Sequence, residues 1–347
     1  MSVAVVRTQQ GHRLGGAGPT VDAANRFLDH LGVRGFSPAT VRAYAYDVAN
    51  FAAFLGERSL SLTEVVATDL FEYLDWQVAR RRGSGRVVAL QRPGPAPATM
   101  NRRISAVRGL FEHLVITGVR ADNPVPAARR ANGLRIPPRG LLGHVGPERS
   151  RGGGRLVRQP QRLPESLEGD DVVSFLLDLE THRDRAMVLG MVLGGLRAGE
   201  VRSLRLADVD MGLRRLRVLG KGGRERIVPV DDAFFTECAA YLHQERPGCS
   251  TAECFVVLRG PTRGQPMTEA GMRKIFRVHR SRSGATRVRP HRLRHTYGTE
   301  LAGAGIDLLV LRELMGHASP ETTARYVHLS PEGLAAEYAA ARAVIER

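Results

Sequence analysis

The chain has 347 residues, 43% of them hydrophobic and 25% charged, which is long enough for two domains with cores of their own. Its 51 Lys+Arg against 35 Asp+Glu leave a net charge of +16, which favours a polyanionic partner, nucleic acid first; the bland alternative is an arginine-rich composition inherited from a GC-rich genome. No uncharged apolar run reaches the ~18 residues of a membrane span, and the N-terminus lacks the apolar core of a signal peptide. Three cysteines, an odd set in a long chain, argue against a disulfide framework and fit a reducing cytoplasm.

In chain order, a flexible N-terminus is expected over 1–19, followed by a helical region over 20–125. "TVDAANRFLDHL" and "TDLFEYLDWQVARR" supply two of its helices. "SPATVRAYAYDVANFAAFL" opens with Ser37 as N-cap and Pro38 at the first helical position, and Val41, Tyr44, Val48, Phe51 and Leu55 then recur as one apolar stripe. "ATMNRRISAVRGLFEHLVITG" repeats the pattern with Ile104, Val107, Leu110, Phe111 and Leu114, and Gly118 stops it. These helices suffice for a small bundle. Arg42, Arg102, Arg103 and Arg108 fall mostly off the stripes; they are either solvated surface or a phosphate-contacting face, and the overall charge tilts toward the second.

A flexible insert, "RRRGSGRVVALQRPGPAPA", interrupts the helical region. The stretch 126–163, including "RRANGLRIPPRGLLGHVGPERSRGGGRLVRQPQR", has Glu148 as its only acid and reads as a basic linker that could lie along a phosphate backbone. The second domain, 164–330, begins with the helical segments "EGDDVVSFLLDL" and "HRDRAMVLGMVLGGL". "RRLRVLG" and "RERIVPV" alternate as strands around the turn "GKGG", a hairpin with Lys221 at its tip, and "CFVVL" reads as a further strand. Helices dominate thereafter, ending in an amphipathic helix over 331–347 with Leu334, Tyr338 and Val344 among its apolar positions. The fold class expected is mostly α with a small β-sheet.

Cys238, His243, Cys249 and Cys254 lie close in sequence but lack the paired knuckles of zinc sites, and no carboxylate cluster suggests magnesium. No metal or cofactor is expected. Lysine usage is more informative: Lys221 and Lys274 are the only lysines among the 51 basic residues. Lysine can release a proton when its surroundings lower its pKa, and arginine does so poorly.

Three further stretches are dense in polar residues: "GGLRAGEVRSLRLADVD" with Arg197 and Glu200, "RPHRLRHTYGTELAGAG" with His291 and Arg294, and "LMGHASPETTARYVHLS" with His317 and Tyr326. Each alone is weak, because a lone histidine or tyrosine is more often structural. Together with Lys221 they resemble the tyrosine recombinase, or phage-integrase, family, whose signature runs Arg, hairpin Lys, His-x-x-Arg, His and nucleophilic Tyr. The resemblance covers most of the chain. It implies an N-terminal helical core-binding (SAM-like) domain followed by an α+β catalytic domain, with double-stranded DNA as the substrate.

The resemblance also implies roles, and the chemistry suits the residue types. Tyr326 would attack phosphorus to form a 3′-phosphotyrosine, while Arg197 and Arg294 grip the non-bridging oxygens. His291 would bond the phosphate or exchange a proton with the tyrosine, His317 would hydrogen-bond the transition state, and Lys221 would protonate the departing 5′-hydroxyl. Glu200 is expected to orient Arg197 or another cation, or else is a solvated helix carboxylate. No chemistry is assigned to His295 or His328. Relatives work as tetramers on two duplexes through a Holliday junction, so a homotetramer, or a hetero-tetramer with a second recombinase, is expected. The final helix packs onto its own subunit or a neighbour.

The compact two-domain form resembles the Xer recombinases that resolve chromosome dimers. The long Arg/Gly/Pro linker and the insert depart from it and lean toward an integrase or transposase of a mobile element. With about twenty residues before the first helix, no separate arm-site-binding domain is expected. Other readings are a type IB topoisomerase, a protelomerase-like enzyme and, from a different class, a catalytically silent DNA-binding or architectural protein.

Overall fold

The computed structural model describes residues 3–9, 11–82, 94–126, 156–157, 166–220, 223–317 and 323. The chain forms two compact units that divide between Gln161 and Arg162.

The first unit is built on α1 (Pro19–Val33), α2 (Pro38–Arg58), α3 (Ala67–Arg82) and α4 (Pro97–Ile116). Ser37 caps α2 as its sequence suggests: its side chain accepts the Thr40 N–H, and Pro38 follows where a missing N–H goes unnoticed. Val48, Phe51 and Leu55 are buried, whereas Val41 and Tyr44 at the start of the stripe are half-buried. On α4, Ile104, Val107, Leu110, Phe111 and Leu114 are all sealed, each contributing about 1.5–3 kcal/mol of transfer free energy. Phe51 meets Tyr73 edge-on at 5.0 Å between centroids, and the Tyr73 hydroxyl donates to Asn50 Oδ1 at 2.8 Å, so the buried phenol is satisfied.

Two features depart from expectation. The N-terminal stretch carries an antiparallel hairpin, β1 (Val5–Thr8) with β2 (Gly11–Leu14), rather than flexible chain alone. Leu14 is buried, and Asn25 of α1 brackets its backbone, accepting its N–H at 2.9 Å and donating to its carbonyl at 3.0 Å. Strands of four residues are too short for a convincing alternation. Within the expected linker, Leu156 packs on the helical core, and Asn101 of α4 pairs with both backbone groups of Val157 at 2.9 and 3.1 Å. The insert at 83–93, the rest of the linker and the expected C-terminal helix lie outside the described residues.

The second unit holds α5 (Gly169–Asp178), α6 (His182–Val192), α7 (Ala198–Ser203), α8 (Asp232–Ala240), α9 (Glu269–Ser283), α10 (Pro290–Gly303) and α11 (Leu308–Met315). A three-stranded antiparallel sheet runs in the order β3 (Val209–Asp210), β4 (Arg215–Leu219), β5 (Glu225–Pro229). The hairpin expected around "GKGG" is β4–β5, with Leu216 opposite Val228 and Leu219 opposite Glu225. Leu216, Val218 and Val228 point into a core shared with Phe175, Met191, Phe234 and Leu293. "CFVVL" is not a sheet strand: it is reduced to an isolated bridge, Val256 with Pro266. Its backbone pairs with Leu204, Gly264, Gln265 and Met267 without forming a ladder, and Tyr241 serves two further groups, its hydroxyl donating to the Cys254 carbonyl at 3.0 Å and accepting the Val256 N–H at 3.2 Å.

Among the described residues no helix is long and apolar enough to cross a membrane, and no three His, Cys, Asp or Glu side chains are grouped to hold a metal. Cys238 and Cys254 are both buried in the core with sulfurs 4.0 Å apart.

Candidate active site

The site begins where α6 ends. Gly195 has a φ of +62°, and a Cβ there would lie 2.5 Å from the Tyr297 ring, so glycine is required both for the turn and for the approach of α10. The turn delivers Leu196 to the core and Arg197 to the N-cap position of α7. Glu200, three residues on, reaches back so that its Oε2 accepts the Arg197 backbone N–H at 2.9 Å, while its Oε1 accepts from Arg197 Nη1 at 2.6 Å.

α10 supplies the second arginine. Pro290 starts the helix, placing His291 in its first turn and Arg294 one turn further in. The Arg294 side chain is 5% exposed; it donates to the carbonyls of Gly195 and Met315 and lies 3.8 Å from Glu200 Oε2. His291 is exposed, and its Nε2 is 2.7 Å from Nε2 of His295, the residue one turn later. Desolvation, then the Arg294 and Arg197 charges, push the His291 pKa below the ordinary histidine value.

α11 supplies the third group. It ends at Gly316 with a left-handed φ of 59°, and the His317 N–H closes the cap on the Arg312 carbonyl at 3.1 Å. Arg197 Nη2 donates to the Gly316 carbonyl at 3.1 Å, which ties the first arginine to the turn that carries His317. His317 Nδ1 sits 2.9 Å from the buried Thr323 hydroxyl. Burial, followed by Arg294, Arg197, His295 and Arg226, lowers the His317 pKa to about 4, so this imidazole is neutral at physiological pH.

Three separated stretches of sequence therefore bring Arg197, Glu200, Arg294 and His317 together, with His291 one turn before Arg294 on α10. Lys221 and Tyr326 lie outside the described residues. Their described neighbours do reach the cluster: a Cβ on Gly220 would stand 3.9 Å from Glu200 Oε1, and Thr323 touches His317.

Glu200 has a further partner that the sequence reading missed. Arg226 of β5 grips it with two prongs, Nη1 to Oε1 at 3.1 Å and Nη2 to Oε2 at 2.8 Å. Burial alone would raise the Glu200 pKa, but bonds from Arg226 and Arg197 outweigh it and hold the carboxylate at about 2. The signal was available: in "RERIVPV" Arg226 shares its strand parity with buried Val228, and a charge on the inward face of a strand needs a buried partner.

The arginines expected at the N-terminal unit's surface divide. Arg42 and Arg102 are exposed, although Arg102 Nη1 also donates to the buried Asp47 carboxylate at 2.7 Å. Arg103 and Arg108 are committed internally, Arg103 to Gln77 Oε1 at 2.8 Å and Arg108 to the Pro126 carbonyl at 3.1 Å. A basic groove of about 760 Å³, which composition could not localise, borders His291 instead; Arg202, Arg273, Lys274, Arg277, Arg280 and Arg289 line it. Its signal was the run "RKIFRVHR" on one amphipathic helix, α9.

Comparison with known proteins gives consistent matches. A profile described as the phage integrase family matches residues 165–332, and one described as the phage integrase N-terminal SAM-like domain matches residues 24–118. Tyrosine recombinase XerC of Rhodospirillum centenum is 31% identical over 334 residues, 93% of this chain and 86% of that protein. Tyrosine recombinase XerC of Pelobacter propionicus is 29% identical over 328 residues, 92% of this chain and 95% of that protein. Among solved structures, the Tn1549 transposon integrase in complex with transposon right end DNA matches in fold with a TM-score of 0.64 at 17% identity, covering 92% of this chain and 99% of that one.

Proposed function

Because the chain belongs to the tyrosine recombinase, or phage integrase, family, we propose that it cleaves and rejoins duplex DNA at a specific site through a covalent 3′-phosphotyrosine on Tyr326. The observation that carries this reading is the convergence of Arg197 and Arg294 on the Glu200 carboxylate, with the turn that carries His317 tied to Arg197 through the Gly316 carbonyl. Three guanidinium groups around one carboxylate, counting Arg226, make an electropositive seat among the described residues, suited to a phosphodiester.

The steps balance without an external energy source. Tyr326 Oη forms a bond to phosphorus, the bond from phosphorus to O5′ breaks, and the proton of the tyrosine passes toward His291. Lys221 gives its proton to the departing O5′. Arg197, whose side chain is 39% exposed, and Arg294 stabilise charge on the non-bridging oxygens. The neutral His317 hydrogen-bonds the same phosphoryl group from Nε2 when the Thr323 hydroxyl donates to Nδ1. Attack by a hydroxyl of a partner strand reverses the chemistry and exchanges strands, and four subunits on paired sites carry it through a Holliday junction.

The Arg/Gly/Pro linker and the insert favour integration or transposition of a mobile element. A second reading, resolution of chromosome dimers, is favoured by the relatives named XerC that align over more than nine-tenths of this chain.

Covalent capture tests the proposal. Wild type and Tyr326→Phe are incubated with nicked duplexes fragmented from the source genome, in EDTA, then denatured, and the DNA that stays attached is sequenced. Adducts with wild type alone are expected, and their sequence separates the two roles: ends of an element, or one chromosomal site. DNA binding without any adduct from wild type would leave a silent DNA-binding protein as the better reading.

A further inference from the structure

We propose that Arg226 is a positioning residue for strand cleavage: its guanidinium fixes Glu200, and through it Arg197, while anchoring the turn that presents His317. The inference rests on the recombinase reading above. Arg226 is 4% exposed at its side chain, and all three of its nitrogens bond inside the protein. Two prongs hold Glu200, and Nε donates to the Leu314 carbonyl at 2.8 Å, in the last turn of α11 before Gly316 and His317. It therefore differs in kind from Arg197, which is accessible to a substrate phosphate.

The neighbouring glycines show how tightly the group is seated. A Cβ on Gly316 would fall 2.9 Å from Arg226 Nη1 and 3.2 Å from its Cζ, so the α11 cap closes directly over the guanidinium. A Cβ on Gly220 would come 3.5 Å from the same nitrogen. One planar group thus neighbours both the residue preceding Lys221 and the residue preceding His317 while holding the carboxylate that grips Arg197. Planarity and the fork are what the seat uses; a lysine could supply the charge but not three directed bonds in one plane.

Without Arg226 the Glu200 carboxylate would be held by Arg197 itself, through its Nη1 and backbone N–H, and by Arg294 at 3.8 Å, so the side chain to be aimed would be among those that fix its own anchor. Two parallel bonds from Arg226 fix the carboxylate plane, leaving Oε1 aimed at Arg197 Nη1 and Oε2 at the Arg197 backbone N–H.

The test uses full-length Arg226→Lys and Arg226→Gln on a nicked duplex recovered by the covalent capture. Single-turnover cleavage is measured at saturating protein, on the natural phosphodiester and on a methylphosphonate at the scissile position, with DNA affinity and the thermal midpoint recorded alongside. On the phosphodiester, cleavage about 10- to 100-fold slower than wild type is expected, as for other groups that orient a reacting one, with DNA affinity unchanged and Arg226→Lys less affected than Arg226→Gln. On the neutral methylphosphonate, which no longer needs Arg197 to balance a phosphoryl charge, the defect should shrink. Equal slowing on both substrates, unimpaired cleavage, or loss of folding in both variants would overturn the positioning role. Absence of adduct from wild type would instead overturn the recombinase reading on which it stands.

Discussion

Glu200 holds Arg197 at both ends: Oε1 takes its Nη1 at 2.6 Å and Oε2 takes its backbone N–H at 2.9 Å. The same carboxylate therefore starts α7 and aims the half-exposed side chain proposed to grip the phosphate. Replacing it by an amide should be felt in folding and in chemistry together, because three arginines lose the charge that gathers them.

For Glu200→Gln, a destabilisation of about 3 kcal/mol at pH 7 is expected, the lower end for breaking a buried ion pair. The pH dependence has a definite sign. The carboxyl is held at about 2 in the folded protein against an ordinary value of 4.5, so its contribution is complete above about 4.5 and is lost as pH falls toward about 2. Denaturant unfolding of the full chain should show the gap between wild type and variant at full size at pH 7 and narrowing by pH 3.5. A gap independent of pH would show that the charge is not what stabilises.

His317 predicts acid sensitivity at higher pH. Its folded pKa of about 4 lies below the ordinary 6.5, so the unfolded chain binds the proton first and stability falls as pH drops from 6.5 toward 4. His317→Gln should lose this part of the acid dependence while slowing cleavage at pH 7.5. Identical pH–stability curves for the two proteins would contradict the depressed pKa.

Gly195→Ala should be destabilising by about 1–3 kcal/mol from overpacking alone, since its Cβ would meet Tyr297 at 2.5 Å in a left-handed turn. Tyr297→Leu combined with Gly195→Ala should recover part of the loss but not the backbone strain. The Gly195 carbonyl also receives Arg294, so cleavage should fall further than stability explains. A variant as stable and active as wild type would show that the turn tolerates a side chain.

Lys221→Ala should cleave a phosphodiester slowly but be rescued on a 5′-bridging phosphorothiolate, whose sulfur leaves without needing a proton. Equal defects on the two substrates, measured as single-turnover rates, would reject the proton-donor role.

Part of the site was legible beforehand through the family signature rather than through local spacing: Arg197, His291, Arg294 and His317 were named from the order they share with that signature, and in the structure Arg197 and Arg294 lie about Glu200 with Arg197 bonded to the turn that carries His317. Helices were equally readable, because Ile104, Val107, Leu110 and Leu114 repeat with the period of a buried face. Arg226 was passed over because its neighbours in sequence describe a hairpin, whereas its partners, Glu200 and Leu314, lie 26 and 88 residues away. "CFVVL" misled for a related reason: an apolar run reports burial, and whether it joins a sheet depends on what satisfies its backbone, here scattered loop groups at Leu204 and 264–267 together with the Tyr241 hydroxyl.

By itself the sequence determined the helices and the β4–β5 hairpin, since capping, periodicity and turn residues act over a few neighbours; the β1–β2 hairpin and the fate of "CFVVL" were left to tertiary contacts. Only the tertiary structure decided which arginines stay accessible and which are spent inside. Arg197 and Arg226 are the same side chain in sequence; one is 39% exposed and the other 4%, because burial and directed bonding are set by what packs from elsewhere in the chain.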